Sequence, residues 1–404
     1  MQKSRRREFL KKSIMGISGA ALVPGTLNTA IAKGPQQKEI PYLPSRTLGR
    51  TGIKTPVISL GAQSVTTPGF VTAAYYAGIK LFFSATYYGE GNNEILVGKG
   101  LKGLPRDSYV LGTAVPPIGF DEREDKFAKD FTPEAFVKKT EGSLKRFGLD
   151  YVDILLFPQV CKRENVLYEP MLKVMQDLKK QGKTKFLGIA THDMCEDAIM
   201  AAADAKIYDV IMIAYNYKVK NKESLDKAMK YAANAGLGIL AIKTTAGAFW
   251  DKKRTKPINT DAALKWVLQN ENVSSIVSGM SSIEELKKNL AMINNLKMSD
   301  QEVNDLKLAS SDSEPGLYCQ QCKKCMPQCP HNLQIPTIMR SYMYAYGYKD
   351  MEHAQHTLLE AGLTGNPCQK CEVCNVNCIS GFNIKERIMD ISRLANVPGE
   401  FLKA

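Results

Sequence analysis

The chain has 404 residues, of which 44% are hydrophobic and 24% charged, a composition typical of soluble globular proteins. Its length exceeds the size at which a single hydrophobic core usually stops growing, so two domains are expected. The formal net charge is +13, but residues 1–32 alone contribute +5 of it. The modest charge of the remainder, and the lack of a basic stripe interleaved with aromatic residues, argue against nucleic-acid binding.

The first 32 residues are predicted to be an export signal. Arg6 and Arg7, followed by Phe9-Leu10-Lys11, resemble the twin-arginine export motif, and the apolar run behind them is too short to span a bilayer stably. Ala30-Ile-Ala32 has the pattern of a cleavage site, so the mature chain is expected to start at Lys33. We therefore expect a periplasmic protein, or a membrane-associated one if the signal stays attached. The alternative is a basic N-terminus without a targeting role.

After a proline-containing linker at residues 33–45, the chain alternates short apolar segments with segments of helical periodicity up to residue 309. The predicted strands are residues 57–60, 81–83, 109–113, 154–157, 186–189, 210–214, 239–243 and 275–278. The predicted helices are residues 71–77, 93–100, 133–147, 169–181, 196–205, 223–235, 261–269 and 283–294. Thr132 and Pro133 predict one helix start, and Gly148 its end. Eight β–α units predict an α/β fold, a (β/α)8 TIM barrel with its active site at the strand carboxyl ends.

Several stretches between about Arg46 and Asn294 resemble the aldo-keto reductase superfamily. They are the opening hairpin Arg46-Thr-Leu-Gly-Arg-Thr-Gly52, the segment from Gly78 to Leu101, the strand beginning Asp150-Tyr-Val-Asp-Ile154, and the loop and helix from Ser278 to Leu290. The resemblance implies a barrel that passes a hydride from NADPH to a carbonyl, with a tyrosine as proton donor tuned by an aspartate, a lysine and a histidine.

The residues that the resemblance implies for catalysis are mostly replaced. The tyrosine falls on Tyr88, whereas Phe83, Ala114 and Pro158 stand at the aspartate, lysine and histidine positions. A tyrosine with an ordinary pKa near 10 is a poor acid at neutral pH without a cation or hydrogen-bond partner. Three replacements at one site predict that the ordinary carbonyl reduction has been abandoned.

The nucleotide positions implied by the resemblance are altered as well. Ala190-Thr191 and Met212 replace nicotinamide contacts, and Gly279 and Glu285 replace the basic residues that hold a 2′-phosphate. The adenine-side Asn289 is kept, and Gly279 could still receive a phosphate through backbone N–H groups. We expect NAD(P) to be lost, with retained nucleotide as the alternative.

Polar residues also follow two of the strands. Lys243 and His192 are candidates for binding an anion or relaying a proton. The alternative is that they are solvated loop groups, with Asp193 capping the next helix.

Two cysteine runs lie beyond a linker at residues 310–316. Cys319, Cys322, Cys325 and Cys329 have the spacing C-x2-C-x2-C-x3-C, and Cys368, Cys371, Cys374 and Cys378 repeat it. This spacing is typical of two [4Fe–4S] clusters in which the fourth cysteine of each run ligates the other cluster. Cys319, Cys322, Cys325 and Cys378 should therefore hold one cluster, and Cys368, Cys371, Cys374 and Cys329 the second. Zinc or disulfides are the alternatives.

The region 310–404 is predicted to be a small, mainly α-helical ferredoxin-like domain. Residues 335–359 and 384–394 have helical composition, and the separation of the two runs is too long for the compact two-cluster ferredoxin. Tyrosines at 342, 344, 346 and 348 are expected to pack around the clusters, with a docking surface as the alternative. His331, His353 and His356 are interpreted as structural, and Cys161 and Cys195 as free thiols.

Together these patterns predict an exported iron–sulfur protein that transfers electrons through two [4Fe–4S] clusters on a catalytically degenerate barrel. A redox partner protein is expected. One alternative is a reductase, driven by NAD(P)H or by the clusters, that acts on a carbonyl or other small substrate near Tyr88. A second alternative is a redox-sensing, assembly or docking protein.

Overall fold

The computed structural model describes residues 40–121, 124–129, 131–192, 196–311 and 315–402. The predicted signal and most of the following linker lie outside the described residues. From Ile40 onward the chain forms one compact unit. The boundaries predicted between the barrel and the tail domain therefore stay predictions.

Eight parallel strands form a closed barrel, as predicted. They are β3 (Ile58–Gly61), β4 (Leu81–Ala85), β5 (Val110–Ala114), β8 (Val152–Pro158), β9 (Thr184–Thr191), β10 (Val210–Ala214), β11 (Gly238–Ile242) and β12 (Val273–Gly279). Every predicted strand is present, with ends shifted by at most a few residues. Parallel strands buried on both faces are nearly continuous apolar runs, so the sequence shows them clearly.

Helices cover the outside of the barrel. They are α1 (Pro68–Tyr76), α2 (Asn92–Leu101), α3 (Pro133–Phe147), α4 (Arg163–Val166), α5 (Glu169–Lys180), α6 (Glu196–Asp204), α7 (Lys222–Asn234), α8 (Thr260–Leu268), α9 (Ile283–Met292) and α10 (Asp300–Ser311). Helix α3 ends at Gly148, whose φ of 68° is the left-handed conformation that glycine adopts readily. The side chain of Thr132 makes no capping hydrogen bond, so only its position before Pro133 was predicted correctly.

Two small antiparallel pairs complete the strands. The opening hairpin pairs β1 (Ser45–Thr47) with β2 (Lys54–Pro56), which matches the predicted hairpin. Leu48 lies in the turn of this hairpin, where it is fully buried against apolar residues of the barrel strands. Strands β6 (Phe120–Asp121) and β7 (Lys126–Phe127) form a second pair beyond β5, which the sequence analysis did not predict.

Within the described residues, the regular elements of the tail domain are all helical. It contains α11 (Ile335–Met343), a π-helical turn (Tyr344–Tyr348), α12 (Met351–Glu360) and α13 (Ile384–Ile391), with short 3-10 turns between them. Its own apolar core includes Ile338, Met339, Leu358 and Ile388 together with several of the cysteines. The predicted mainly helical domain is confirmed.

The tail domain covers the carboxyl ends of the barrel strands. The Tyr348 hydroxyl lies 3.0 Å from Thr245 Oγ1 and accepts a 3.0 Å hydrogen bond from the Gly247 N–H. Gln320 Nε2 donates to the Lys218 carbonyl over 2.8 Å. The domain therefore sits over the face where barrel enzymes carry their active sites.

Two helices, α4 and α10, were not predicted from the sequence. Helix α10 continues to Ser311, so the first two residues of the predicted linker at 310–316 are helical. In the described part of the chain, none of the helices combines the length and the apolar character needed to cross a membrane.

Candidate functional site

The first cysteine set converges as predicted, across the two sequence runs. Cys319, Cys322, Cys325 and Cys378 line one small cavity, and none of them forms a disulfide. Apolar side chains from α11 and α13, Ile335, Met339 and Ile384, line the same cavity. Four thiols around a dry space are the donor set that an iron–sulfur cluster needs.

The second set also converges across the runs. Burial raises the pKa of the Cys368 thiol to about 11, and the neighbours that raise it further are Cys371, Cys329 and Cys374. Cys329 therefore lies with the second run although it belongs to the first in sequence. This is the exchange of the fourth cysteine that the spacing predicted.

The residues present fit the ligand set of an iron–sulfur cluster. Burial raises the pKa of Cys319 to about 12, so this thiol requires a metal to be held as a thiolate. Within the described residues no group of His, Cys, Asp and Glu is arranged around a single metal ion. A cubane accepts thiolates spread around its four corners rather than at one centre, which this spacing permits.

The loop between Cys319 and Cys325 winds tightly around its cavity. Gln321 and Lys323 have φ values of 54° and 57°, in the left-handed region. The Gln321 N–H donates to Cys319 Sγ over 3.4 Å, and the Ser380 N–H donates to Cys378 Sγ over 3.4 Å. Hydrogen bonds to ligand sulfurs are one means by which a protein tunes a cluster potential.

The second cysteine set has one solvent-exposed member and is called the exposed set below; the first has none and is called the enclosed set. In the second set Cys374 is exposed, and the neighbouring Val373 is 76% exposed. His331 Nε2 lies 3.1 Å from Cys371 Sγ, so this histidine contacts the second set. The first set instead lies towards the barrel.

A cavity of about 650 Å³ opens at the carboxyl ends of the strands. It is lined by all four residues predicted for the barrel site, Tyr88, Gly279, Asn289 and Lys243. The replacements Phe83 and Ala114 line it too, whereas Pro158 ends β8 as a buried residue. Its volume is typical of small-molecule pockets.

Tyr88 is poorly placed to act as an acid. Burial, followed by the proximity of Tyr344, raises its pKa, and a hydrogen bond with Tyr87 offsets this only in part. The Tyr87 and Tyr88 rings pack edge to face, with centroids 5.0 Å apart, and both line the cavity.

A carboxylate occupies the nucleotide side of the cavity. Glu285 accepts hydrogen bonds from the Ser281 N–H over 2.7 Å and from the Ser281 hydroxyl over 3.0 Å. Gly279, two residues before Ser281, is exposed. Asn289, on helix α9 with Glu285, is buried. The Ser281 N–H, which could otherwise receive a phosphate, is thus already bonded to an acidic side chain.

Lys243 and His192 are not the solvated loop groups considered from the sequence. Lys243 Nζ donates a hydrogen bond to the hydroxyl of Tyr344 in the tail domain. Burial, with Arg340 and Lys243 nearby, lowers the pKa of His192 well below its usual value. Both residues are half-buried beside the tail domain. The companion residue Asp193 lies outside the described residues.

Tail residues that the sequence analysis treated as cluster packing belong to the barrel cavity. Tyr344, Tyr348 and His353 line it together with Tyr88. Tyr342 and Tyr346 face elsewhere, towards Arg387 and Lys252. The run of tyrosines was the available signal, but sequence alone does not show which of them face the barrel.

A second, smaller cavity connects the barrel to the first cysteine set. His192, Ala214 and Lys243 line it from the barrel, and Cys319 and Arg340 from the tail. The ends of strands β9 to β11 are therefore next to the predicted cluster.

One of the two remaining cysteines differs from the expectation of a free thiol. Cys161 is disulfide-bonded, so the prediction for it was wrong. Cys195 lies outside the described residues. A thiol pattern in sequence does not show which distant cysteines come together in the fold.

Comparison with known proteins matches both parts of the chain. Residues 63–262 match a model of the aldo/keto reductase family, and residues 318–383 match a model of a 4Fe-4S dicluster domain. Over 292 residues the chain is 29% identical to L-galactose dehydrogenase of Arabidopsis thaliana, covering 62% of this chain and 88% of that protein. It is 24% identical to the NADH-specific methylglyoxal reductase of Escherichia coli, covering 57% and 83%.

Solved structures show the same barrel. An aldo-keto reductase from Bacillus halodurans, in its holo form, has a TM-score of 0.54 at 19% identity, covering 68% of this chain and 99% of that chain. An aldo-keto reductase from Klebsiella pneumoniae in complex with NADPH has a TM-score of 0.51 at 20% identity, covering 67% and 97%. At these identities the likeness establishes the fold.

Proposed function

We propose that this protein, an aldo/keto reductase domain joined to a 4Fe–4S dicluster domain, carries electrons through two clusters to the cavity at the barrel mouth. The observation that carries the proposal is the small cavity that Cys319 shares with His192 and Lys243. When bound, the clusters would supply electrons one at a time; Cys319, Cys322, Cys325 and Cys378 would hold one, and Cys368, Cys371, Cys374 and Cys329 the other.

The barrel residues support a role other than ordinary hydride transfer. Phe83 and Ala114 give the cavity apolar walls where the family has charged partners for its tyrosine. Glu285 bonds the Ser281 N–H and hydroxyl on the side where a nucleotide phosphate would lie. An acidic side chain there opposes the binding of an NADPH 2′-phosphate.

A second candidate is that the barrel cavity is itself a reductase site. Relatives of this chain reduce or oxidise small molecules according to their names, among them methylglyoxal and L-galactose. The observation that favours this candidate is a cavity of about 650 Å³ beside Tyr88, a volume that fits a small substrate. In this chain, electrons would reach such a substrate from the cluster side.

The exposed cysteine set is the proposed contact for a redox partner protein. Val373 and Ile379, beside the second run, are 76% and 45% exposed, and Cys374 is exposed between them in sequence. Exposed apolar residues next to a redox centre are typical of a transient docking surface. Val373→Glu should slow reduction by a protein electron donor and leave reduction by dithionite unchanged; an equal effect on both would argue against docking there.

Export by the twin-arginine route is also proposed, on the basis of the Arg6-Arg7 pair. The disulfide of Cys161 supports it, since disulfides persist mainly in oxidising compartments. Fractionation of cells carrying the Arg6→Lys, Arg7→Lys variant tests it, with retention in the cytoplasm as the expected result.

The proposed function is tested by anaerobic reduction of the purified protein. NADPH and then NADH are added while the visible absorbance of the oxidised clusters is followed. We expect neither nucleotide to bleach the clusters and dithionite to bleach them. Bleaching by NADPH or NADH would show that the barrel still binds nicotinamide nucleotides and passes their electrons to the clusters, against the proposal.

A further inference from the structure

A tyrosine and a lysine from different domains meet at the barrel cavity. Tyr344 lies in the π-helical turn of the tail and is 5% exposed, and Lys243 directly follows β11 of the barrel. Lys243 Nζ donates a hydrogen bond to the Tyr344 hydroxyl and lies 4.6 Å from the centroid of its ring. The backbone of Lys243 has a φ of 54°, so the side chain is presented from a sparsely populated conformation.

This pair has the arrangement that Tyr88 lacks. The Lys243 ammonium group donates to the Tyr344 oxygen, which orients this hydroxyl at the cavity. For Tyr88, burial is the largest influence, and it raises the pKa. Both tyrosines line the same cavity, so a ligand there can reach either hydroxyl-bearing side chain.

Two histidine nitrogens at this cavity point to a ligand. His192 Nδ1 and His353 Nε2 are buried, and neither has a hydrogen-bond partner among the described residues. Both histidines line the cavity, one from the barrel and one from the tail. Buried polar atoms normally have partners, so a bound molecule with polar atoms would account for them.

We propose that the cavity binds a conjugated dicarbonyl compound of the quinone type, with Tyr344, held by Lys243, as donor to one carbonyl oxygen. The inference rests on the proposed function, because the ligand class follows from the electron supply. Clusters deliver electrons one at a time. A conjugated dicarbonyl can delocalise the negative charge that the first electron adds, whereas a simple ketone cannot. Phe83, Tyr87 and Met212 provide apolar and aromatic walls for a planar ring.

The reaction at this site balances as a two-electron, two-proton reduction. When bound and reduced, the two clusters would supply one electron each and would each be oxidised by one electron. The Tyr344 hydroxyl gives one proton to a carbonyl oxygen, and solvent gives the second to the other oxygen. Both carbonyl groups become hydroxyl groups, and the Tyr344 phenolate is reprotonated from solvent. The tail domain thus supplies Tyr344 as the proton donor at the barrel cavity.

The first test measures binding of menadione to the oxidised, cluster-containing protein by isothermal titration calorimetry, without any reductant. Tyr344→Phe and Lys243→Met should each weaken binding by about 10-fold, the effect of a lost hydrogen bond to a buried oxygen. Tyr346→Phe is the matched control, since this tyrosine lies on the same helical turn with its ring against Lys252. Equal affinities for all variants, or no binding, would overturn the inference.

The second test is reoxidation of stoichiometrically reduced protein by menadione. We expect a saturable rate, reduced at least 100-fold in Tyr344→Phe and unchanged in Tyr346→Phe, with cluster absorbance and thermal stability retained in both. A rate that rises linearly with menadione concentration and is equal in all variants would mean that menadione reacts at the exposed cysteine set, and it would overturn the inference. A larger loss in Tyr88→Phe than in Tyr344→Phe would place the donor at Tyr88.

The two tests separate the inference from the function on which it rests. Binding that depends on Tyr344, with no reoxidation of the clusters, would keep the ligand site and reject the electron route. Reoxidation by a protein acceptor, without any binding of menadione, would keep the electron route and reject the ligand class.

Discussion

Cys378 connects the two cysteine runs of the tail. It lies in the second run, yet its side chain lines the cavity formed by Cys319, Cys322 and Cys325. The Ser380 N–H donates to its sulfur, which fixes the orientation of the thiol. One residue thus holds together segments that are far apart in sequence.

Replacing Cys378 should remove one cluster and keep the other. Cys378→Ala takes a ligand from the enclosed set, and we expect iron content to fall to about half of the wild-type value, since each cluster needs its own four ligands. Cys374→Ala should cause a similar loss from the exposed set. Iron analysis and low-temperature EPR of the reduced proteins measure both. Identical residual spectra in the two variants would contradict the crosswise assignment.

At the scale of single residues, the sequence predicted the convergence of the cysteines better than the contacts of other side chains. The eight cysteines were found because their spacing is short and repeated. The contact of Lys243 with Tyr344 joins residues 101 positions apart, and nothing local in the sequence marks it. The same applies to the disulfide of Cys161.

The segment that leads from the barrel into the tail is held by a glycine. Gly316 has a φ of 62°, and a Cβ at this position would lie 2.7 Å from the Trp250 ring of the barrel. Arg387, on helix α13, donates to the carbonyl of Gly316. Contacts with both domains therefore hold the segment that enters the tail domain in place.

Gly316→Ala should destabilise the protein by about 2 kcal/mol, combining the cost of a left-handed alanine with the displacement of Trp250. Chemical denaturation of the cluster-containing protein measures this change in the free energy of unfolding. Gly365→Ala is the control, because a Cβ there meets no atom within 4 Å. An equal effect at both positions would show that the contact with Trp250 contributes nothing.

At the scale of elements, regular patterns decided what could be predicted. The barrel strands are apolar runs, and helix α3 carries proline at its start and glycine at its end, so both were recognised. Helix α10 was missed because Asp300–Ser311 is largely polar and its apolar residues form only a weak stripe. The short pair β6 and β7 has two residues in each strand, too few for a period to be seen.

The whole molecule buries several phenol groups in the barrel. Burial raises the pKa values of Tyr208, Tyr215 and Tyr217 above their ordinary value. A raised folded-state pKa means that stability is complete below the unfolded-state pKa, near 10, and is lost as the pH rises above it. Alkaline conditions should therefore destabilise the fold.

Tyr208→Phe tests this pH dependence. The Tyr208 hydroxyl donates to the Val166 carbonyl over 3.1 Å, so the variant should be less stable at neutral pH. Above pH about 10 the difference from wild type should narrow by about 1.4 kcal/mol per pH unit, because the variant lacks one titrating group. Thermal unfolding between neutral and alkaline pH measures it, with the exposed Tyr42→Phe as control. A constant difference across this range would rule out Tyr208 as the cause.

At the largest scale, the sequence predicted both folds but not their arrangement. Each domain has its own pattern of local signals, whereas the cover over the barrel mouth depends on side chains such as Tyr348 and Gln320 that meet the barrel only after folding. The cavity is therefore formed by residues of both domains together.

The exchange of fourth cysteines has a consequence for how the protein is made. Three ligands of the enclosed set leave the ribosome early, but Cys378 is synthesised some 50 residues after Cys325. Neither ligand set is complete until both runs have been translated and have found each other. Insertion of the proposed clusters would therefore follow translation of this region rather than accompany it, so that the assembly machinery would act on a nearly complete chain.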